Sequence, residues 1–478
     1  MVIPAQMEVI ESMKHGYLSR RWLICIVSVA AVVFLLKITL ALKTYGTNDV
    51  LFWEADLEKI RHDGAVALYR DGAVLYRGPI AYHTEKFNQP PFMVWACLCW
   101  GWLADVSGLP FRFWLRLSSS VADVLSLPLL VAILGRSRIP CHPMLLLMVA
   151  AAPISLLVSG FHGNADAVMI AFVLLSLFLL ETGRPVWAAG AALGMAMNIK
   201  IVPVIFVPAI CLFLGTLNKQ AQVLAGTAAV SIGGRLQESN LVRERVFGYS
   251  AHYGMWGSFL QAAKDRLQFL GAAVVVFILG SIPVIIQAPA LVMSSVFGYK
   301  SLFGYWGFSL IATTMRDGAG RWLFELYSAA GRPVLFVVIA AASIYMNTGR
   351  VRMAPIRQLA LISFLFMALT PGFGNQYLVW LIPWTAMLDV PTALAFHVTS
   401  GFFLFTSYNY AAGGYPWYLA DSTRIPPGGM QLLAGIPCWL TVCYIALVWL
   451  TGVSVEPFVH TGRPNATGSS EPDGLRLP

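Results

Sequence analysis

Long apolar runs separated by short polar loops dominate the pattern along this chain. The longer runs match the roughly 20 residues that an α-helix needs to cross a bilayer, and they do not alternate as barrel strands do. The apolar segments are 22–42, 113–134, 143–159, 165–182, 186–199, 201–217, 269–288, 333–347, 355–370, 376–389, 391–408 and 431–451. This pattern predicts an all-α polytopic membrane protein with about 12 transmembrane helices, in a range of about 11 to 13.

A shorter apolar run at 91–103 contains Trp95, Trp100 and Trp102 and suits an interfacial helix better than a span. If this run does not cross, the basic loops face the cytoplasm, as the positive-inside bias requires. Those loops hold Arg136, Arg138, Arg184, Lys219, Arg235, Arg243, Arg245, Lys264, Arg266, Arg350, Arg352 and Arg357. We therefore place 91–103 on the outer face and both termini in the cytoplasm.

This topology defines the predicted domain organisation. Residues 1–21 form a cytoplasmic N-terminus, 22–452 a transmembrane domain, and 453–478 a disordered cytoplasmic tail. Within the domain, 43–112 is a long first outer loop containing interfacial helices. The other outer stretches are 161–166, 289–332, 370–376 and 409–430, and the basic loop at 218–268 is cytoplasmic, with 219–233 as a weak extra span.

Composition excludes other classes of protein. Hydrophobic residues make up 58% of the chain, charged residues only 12%, and the mean hydropathy is +0.70, which excludes a soluble globular or disordered protein. The net charge of +9 is explained by the basic cytoplasmic loops, so no nucleic-acid partner is expected. The seven cysteines form no CxxC pair, which supports neither a disulfide framework nor a zinc site.

Asp49 is the first candidate for chemistry, because it follows the first predicted helix on the outer side. Phe52, Trp53, Glu54 and Asp56 come after it. Desolvation raises the pKa of a carboxylate held over an apolar, aromatic surface, and this suits a general base that removes a proton from a hydroxyl. A simply solvated acidic residue is the alternative interpretation.

Polar residues also interrupt apolar surroundings at 161–166 and at Lys200. His162 and Asp166 share a face if the helix has begun, and with Asn164 they are predicted to contact a sugar or an acceptor. Asp166 is equally typical of a charge favoured at a helix N-terminus, and a metal site lacks a third clear ligand. Lys200 lies at the outer membrane face, where its ammonium suits a lipid phosphate unless it snorkels to the interface.

Two arginines precede an acidic residue inside the second predicted span. Arg116 and Asp123 lie two helical turns apart on one face, so an ion pair between them is one interpretation. Arg112 or Arg116 could instead bind a phosphate. Lys37, near the end of the first span, is expected to snorkel.

Later outer loops carry aromatic and amide side chains. Tyr299 and Trp306 could stack on a sugar ring, although aromatic residues at a membrane face commonly form an interfacial belt. Asn375 and Gln376 lie in a tight polar turn and could bind hydroxyl groups through hydrogen bonds.

The order of these motifs resembles the GT-C superfamily of membrane glycosyltransferases over roughly residues 22–408. The nearest likeness is to bacterial family-87-type mannosyltransferases that use polyprenyl-phosphate-mannose, and the catalytic subunit of eukaryotic GPI mannosyltransferase I is more distantly similar. The motifs are Asp49, Asn88-Gln89-Pro90-Pro91, the Arg-rich span ending in Arg136, Gly163-Asn164-Ala165-Asp166, Gly194, Lys200, Pro203, Gly298-Tyr299, Trp306-Gly307 and Asn375-Gln376-Tyr377.

The resemblance implies a sugar donor on a polyprenyl phosphate and a catalytic acidic residue in the first outer loop, a position that Asp49 matches. Many relatives have two adjacent acidic residues there, whereas this chain has Asn48 before Asp49, with Glu54 and Asp56 farther on. This departure leaves the partner carboxylate undetermined, so no metal ligand is assigned and a divalent cation stays open.

The expected function is transfer of a hexose, with mannose implied by the resemblance, from a polyprenyl-phosphate donor to a hydroxyl of a lipid or glycan acceptor on the outer face, with inversion. Asp49 is the expected base, and Lys200 with Arg112 or Arg116 the expected phosphate site. A bacterial inner membrane is the expected location. The alternatives are a flippase or transporter of a polyprenyl-linked lipid and a noncatalytic subunit of a glycan assembly complex.

Overall fold

The computed structural model describes residues 18–77, 80–83, 87–215, 255–299, 301–348, 353–423, 425 and 428–452. The predicted weak span at 219–233, the disordered tail at 453–478 and most of the N-terminus at 1–21 lie outside these residues.

Helices account for most of the described chain. The longer ones are α1 (Arg20–Lys43), α2 (Asn48–Asp63), α3 (Ala65–Asp71), α4 (Phe92–Ser107), α5 (Phe111–Arg136), α6 (Pro143–His162), α7 (Asp166–Glu181), α8 (Val186–Ile199), α9 (Val202–Gly215), α10 (Met255–Leu279), α11 (Arg321–Asn347), α12 (Pro355–Leu369), α13 (Val390–Ala411) and α14 (Gly429–Thr451). Shorter helical segments are Ile282–Gln287, Pro289–Val292, Met293–Phe297, Gly307–Thr314, Asn375–Leu381 and Pro383–Met387.

The predicted all-α polytopic membrane fold is confirmed. Every predicted apolar segment falls on helical structure, although α10 and α11 begin well before their apolar portions at 269 and 333. Six of the described helices, α1, α5, α6, α11, α13 and α14, are long and apolar enough to cross a membrane. The segment at 376–389 winds into two short 3₁₀ helices, so the number of crossings stays a prediction.

The first outer loop is helical, as predicted. α2, α3 and α4 occupy most of it, and the run at 91–103 becomes the 16-residue α4. A hairpin of β2 (Val74–Arg77) and β3 (Ile80–His83) lies between α3 and α4.

Short strand pairs connect outer loops that are far apart in sequence. β1 (Gly46–Thr47) pairs in parallel with β6 (Leu419–Ala420), and β4 (Leu302–Phe303) pairs antiparallel with β5 (Gly372–Phe373). Each pair has only two residues on a side, yet it satisfies backbone groups that would otherwise be unpaired in these loops. The loops that the sequence places on the outer face are therefore fastened to one another.

A buried ion pair fixes α1 against the bundle. The Lys37 ammonium donates to Asp123 Oδ2 at 2.7 Å and to Ser155 Oγ at 2.5 Å, and Lys37 is only 2% exposed. Two predictions are therefore wrong: Lys37 does not snorkel, and Asp123 pairs with Lys37 rather than with Arg116. The bend of α6, where Pro153 precedes Ser155, brings the serine hydroxyl into reach of both charges.

We expect Lys37→Met to lower the stability of the purified protein, because it leaves the Asp123 carboxylate buried without its cation. Breaking a buried pair on one side typically costs about 3–5 kcal/mol, whereas replacing both partners with apolar residues is often neutral. Thermal unfolding in detergent should show a lower midpoint for Lys37→Met and recovery in Lys37→Met/Asp123→Leu. Lys59→Met, which breaks an exposed pair with Asp63, is the control. Equal midpoints for Lys37→Met and Lys59→Met would contradict this role.

Candidate functional site

A cavity of about 520 Å³ opens among the predicted outer loops. Its walls come from the start of α2, the segment before α4, the turn after α6, the residue after α8, and the loops around 299–305, 373–377 and 407–431. Among the predicted site residues, seven line it: Asp49, His162, Asn164, Lys200, Tyr299, Asn375 and Gln376. The structure thus gathers residues that are up to about 300 positions apart in sequence around one space.

Asp49 lies on the first turn of α2 with its side chain 28% exposed. Its Oδ2 pairs with His162 Nε2 at 2.9 Å and accepts a longer hydrogen bond from Asn164 Nδ2 at 3.5 Å. All three residues line the cavity. One carboxylate oxygen is therefore held by the protein while the carboxylate as a whole still faces the cavity.

The pKa of Asp49 is lowered from its ordinary value, so the raised pKa expected from the sequence is wrong. Burial alone would raise the pKa of this carboxyl, but the charge and hydrogen bond of His162 pull it down. The charge of Lys200 and the hydrogen bond from Asn164 act in the same direction. Asp49 is accordingly a fully ionised group at neutral pH.

His162 connects Asp49 to Tyr408. Its Nδ1 lies 3.0 Å from the Tyr408 hydroxyl, while its Nε2 faces Asp49. A proton on Nε2 points at the carboxylate, and the Tyr408 hydroxyl can either donate to Nδ1 or accept from it. The interaction orients the ring, and nothing in the sequence marked Tyr408, because it lies within an aromatic-rich apolar helix.

Backbone geometry brings Asp49 and His162 together. Thr47 caps α2: its hydroxyl accepts from Asp49 N at 3.3 Å and donates to His162 O at 2.8 Å. Gly163 turns the chain with φ +84°, and a Cβ there would lie 2.3 Å from Val50 Cγ2. This turn separates His162 from the start of α7 at Asp166, so the two do not share one helical face as predicted.

Lys200 and Asp166 form a second buried pair. The ammonium donates to both carboxylate oxygens, at 2.8 and 3.1 Å, and lies 4.5 Å from the centre of the Tyr377 ring. Lys200 caps α8 with extended backbone, and Pro203 follows within the next helical turn. Lys200 therefore lines the cavity as predicted, whereas Asp166 lies behind it and is 1% exposed.

Three other predicted residues do not line the cavity. The guanidinium of Arg116, a residue that is 0% exposed, donates to backbone carbonyls at the ends of two helices, among them Ala41 at 2.9 Å and Thr44 at 2.7 Å. Trp306 is 1% exposed, stacks on Phe373 and donates to Met367 O, so it packs in the core. Arg112 lies over the Tyr45 ring, 4.0 Å from Glu54. The geometry thus removes Arg116 and Trp306 from the ligand-binding set.

Several cavity residues were not predicted as site residues. They are Thr47, Asn48, Phe52, Trp53, Asp56, Phe87, Asn88, Gln89, Ser301, Leu302, Tyr305, Phe373, Gly374, Tyr377, Ser407, Tyr408, Tyr410, Ala411, Ala420, Ser422, Thr423, Ile425 and Gln431. Two signals could have identified some of them. The quoted motifs Asn88-Gln89-Pro90-Pro91 and Asn375-Gln376-Tyr377 contain three, and the spacing of Asp49, Phe52, Trp53 and Asp56 marks a single face of α2.

No group of three or more His, Cys, Asp or Glu side chains converges as metal ligands within the described ranges. At Asp49, Oδ2 already contacts His162 and Asn164, which leaves a single carboxylate oxygen for a cation. This donor set does not fit a hard cation such as Mg²⁺, which needs near-octahedral oxygen ligands. A divalent cation brought by a ligand stays a prediction.

Sequence comparison matches one segment of the chain, which supplies three of the cavity residues, to a protein family. Residues 158–242 match the family model described as mannosyltransferase (PIG-M). The predicted resemblance to membrane mannosyltransferases is confirmed. The matched segment includes His162, Asn164, Asp166 and Lys200.

Two individual proteins are similar to this chain. GPI mannosyltransferase 1 from Debaryomyces hansenii is 25% identical over 146 residues, which span 30% of this chain and 34% of that protein. The chain therefore matches about a third of the length of this relative. The crystal structure of ArnT from Cupriavidus metallidurans bound to undecaprenyl phosphate superposes with a TM-score of 0.41 at 14% identity, covering 91% of this chain and 77% of that one.

We expect Arg116→Lys to destabilise the protein, because a lysine ammonium cannot reach all the backbone carbonyls that the branched guanidinium of Arg116 contacts at once. Loss of two or three charge-assisted hydrogen bonds from buried carbonyls predicts a cost of about 3 kcal/mol or more. Thermal unfolding measures it, with the exposed Arg70→Lys as the control. An unchanged midpoint combined with weaker binding of a polyprenyl phosphate would restore Arg116 as a ligand-binding residue.

Proposed function

We propose that this protein is a membrane glycosyltransferase that moves a hexose, namely mannose, from a polyprenyl-phosphate donor to an acceptor hydroxyl on the outer face, with inversion at the anomeric carbon. The observation that carries the proposal is the pairing of Asp49 with His162 at the wall of a large cavity, and His162 belongs to the segment 158–242 that matches a mannosyltransferase family model. Bacterial inner-membrane localisation stays a prediction alongside it.

Asp49 is suited to act as the general base. Its Oδ2 is held by His162 and Asn164, which leaves Oδ1 for an acceptor hydroxyl. As the acceptor oxygen forms its bond to the anomeric carbon, the bond from that carbon to the phosphate oxygen breaks, and the phosphate leaves with the electron pair. The hydroxyl proton passes to Asp49 Oδ1. A base with a lowered pKa suits a step in which this proton leaves late, when the attacking oxygen has become acidic.

Lys200 is suited to bind the donor phosphate. A lysine ammonium has three N–H donors, and the two contacts to Asp166 leave one for a ligand on the cavity side. The Asp166 carboxylate and the Tyr377 ring hold the ammonium in place, so little conformational freedom is lost when a phosphate arrives. A cation beside the leaving phosphate stabilises the negative charge that the phosphate gains as the bond breaks. The phosphate therefore needs no general acid.

The remaining cavity residues suit a polyol. Tyr299, Asn375 and Gln376 line the same cavity as Asp49, and their hydroxyl and amide groups can pair with the hydroxyls of a sugar. The long apolar helices around the cavity suit a donor whose isoprenoid chain lies in the membrane. The outer face, the lipid or glycan acceptor and the identity of the sugar belong to the proposal.

Asp49→Asn should abolish transfer while the donor still binds. Removing a general base typically lowers the rate by about 10²–10⁴-fold. Transfer is measured in proteoliposomes that contain labelled polyprenyl-phosphate-mannose, with octyl α-mannoside and membrane lipid extract as acceptors. The control is Asp105→Asn, which changes an exposed residue of the same predicted outer loop. Translocation of intact donor without transfer by the wild type would indicate a flippase, and full activity of Asp49→Asn would indicate that Asp49 is not the base.

His162→Gln should shift the acid limb of the pH–rate profile to higher pH. The charge and hydrogen bond of His162 lower the pKa of Asp49 against the effect of burial, so its removal raises that pKa. In the wild type, Asp49 stays ionised down to a pH below the ordinary pKa of an aspartate, so kcat/KM falls only at low pH. In the variant, kcat/KM should begin to fall at a higher pH as the solution is acidified. Profiles of kcat/KM from pH 4 to pH 8 test this, and superimposable acid limbs would show that His162 does not tune Asp49.

A further inference from the structure

A second carboxyl group, that of Asp56, faces the cavity two helical turns from Asp49. Five residues of α2 line the cavity and lie on one face of the helix: Asn48, Asp49, Phe52, Trp53 and Asp56. A rise of 1.5 Å per residue separates the two carboxylate-bearing positions by about 10 Å along the helix axis. The two acidic residues therefore lie at different depths of the same space.

Asp56 is buried without a hydrogen-bonding partner among the described residues. It is 8% exposed, no hydrogen bond or ion pair reaches its carboxyl group, and its remaining exposure is toward the cavity. Polar side chains buried to this degree are nearly always satisfied by a partner, and leaving one unsatisfied is costly. The carboxyl group of Asp56 is therefore available to a polar group that enters the cavity.

Aromatic residues surround Asp56 and explain its chemical state. Trp53 and Phe87 meet edge to face at 5.9 Å, and Tyr69 packs edge to face on Phe87 at 5.3 Å. The Tyr69 hydroxyl is committed to Gln89 O at 2.5 Å, so it does not satisfy Asp56. Burial in this environment raises the pKa of Asp56 to about 8. At neutral pH the group is therefore mostly a neutral carboxylic acid, which can both donate and accept a hydrogen bond.

We propose that Asp56, with the neighbouring amides of Asn88 and Gln89, forms an acceptor subsite that binds a hydroxyl pair of a carbohydrate about 10 Å from the reacting hydroxyl. The subsite rests on the proposed glycosyltransferase function and adds a residue that binds the acceptor. Asn88 and Gln89 line the same cavity, and Gln89 Nε2 donates to Asn88 Oδ1 at 2.9 Å. Tyr69 connects them to Asp56, because its hydroxyl donates to Gln89 O and its ring lies within electrostatic range of the Asp56 carboxyl group. One acid and two amides supply donors and acceptors without adding a charge that would repel the phosphate of the donor.

The separation from Asp49 gives the subsite its role. A group that contacts the acceptor away from the reacting hydroxyl fixes orientation and contributes binding energy, and it has no part in proton transfer. Trp53 and Phe52 lie between the two carboxyl groups and offer an apolar surface for the intervening sugar ring. The subsite should therefore select acceptors that extend beyond a single hydroxyl-bearing group.

Two variants test the subsite with a mannotrioside as the acceptor probe, because its sugar rings can span the roughly 10 Å between Asp49 and Asp56. Asp56→Asn keeps one donor and one acceptor in nearly the same shape, whereas Asp56→Ala removes both. At pH 7 we expect Asp56→Asn to keep the acceptor KM within about threefold of wild type. Asp56→Ala should raise it about tenfold, the effect of losing one or two hydrogen bonds, with the donor KM and the kcat at saturating acceptor nearly unchanged.

The pH dependence of the acceptor KM supplies a readout that a purely structural role would not move. A bound acceptor displaces water that would solvate an ionised Asp56 carboxylate, so the complex favours the neutral acid. The wild-type acceptor KM should therefore rise severalfold between pH 7 and pH 9, as Asp56 ionises in the free enzyme. Asp56→Asn cannot ionise and should stay flat. The other titratable groups around Asp56 are Tyr69, Cys97 and Arg61; burial and the Asp56 charge raise the pKa values of Tyr69 and Cys97 above this window.

The outcomes separate the subsite from the reaction. If the wild type transfers mannose and both variants keep the wild-type acceptor KM at every pH, the subsite is wrong while the glycosyltransferase function stands. Loss of acceptor binding in Asp56→Asn equal to that in Asp56→Ala, or a change in donor KM alone, would also overturn it. If the wild type transfers no sugar to octyl α-mannoside or to membrane lipid extract, the proposed function itself fails.

Discussion

The geometry of the cavity depends on the buried guanidinium of Arg116. It reaches the carbonyls of Ala41 and Thr44 at the end of α1, and lies 3.4 and 3.5 Å from those of Phe161 and Gly160 at the end of α6. Carbonyls at helix C-termini lack intrahelical donors and carry partial negative charge, so one cation satisfies two helix ends at once. The chain continues directly from these ends to Asp49 and to His162, which is why the two side chains meet.

The outer loops depend on one another in a similar way. β1 and β6 connect the segment before Asp49 to the loop after α13. The last turn of α13 supplies Tyr410 to the cavity wall, and the loop supplies Ser422. β4 and β5 connect the loop containing Tyr299 to the turn containing Asn375. Neither pair is long enough to be stable alone, so the packed helices beneath must hold the loops in register. The site is consequently a property of the whole bundle, although most of its polar groups come from connecting segments.

The fold could be predicted from the sequence because a helix that crosses a bilayer must be long and apolar, and such helices show as long apolar runs in the sequence. The same reasoning identified Asp49, His162 and Lys200, since polar groups are conspicuous in apolar surroundings. It failed for Arg116 and Lys37, because a charge near a helix end is equally compatible with a ligand, an interfacial position or a buried partner. The choice between these depends on the bend of α6 and the packing of α1 on α5, which are tertiary features.

The two carboxyl groups on α2 show how environment assigns chemistry within one helix. Asp49 has a cationic neighbour in Lys200 and a hydrogen-bonded partner in His162, and these keep its pKa below the ordinary range despite burial. Asp56, two turns away, has aromatic neighbours and no such partner, and burial alone raises its pKa. Carboxyl groups whose environments separate their pKa values in this way can act as a base and as a hydrogen-bond donor at the same pH. In the proposed reaction, the ionised carboxylate of Asp49 would accept the proton of the reacting hydroxyl, and the neutral carboxylic acid of Asp56 would form hydrogen bonds with other hydroxyls of the acceptor.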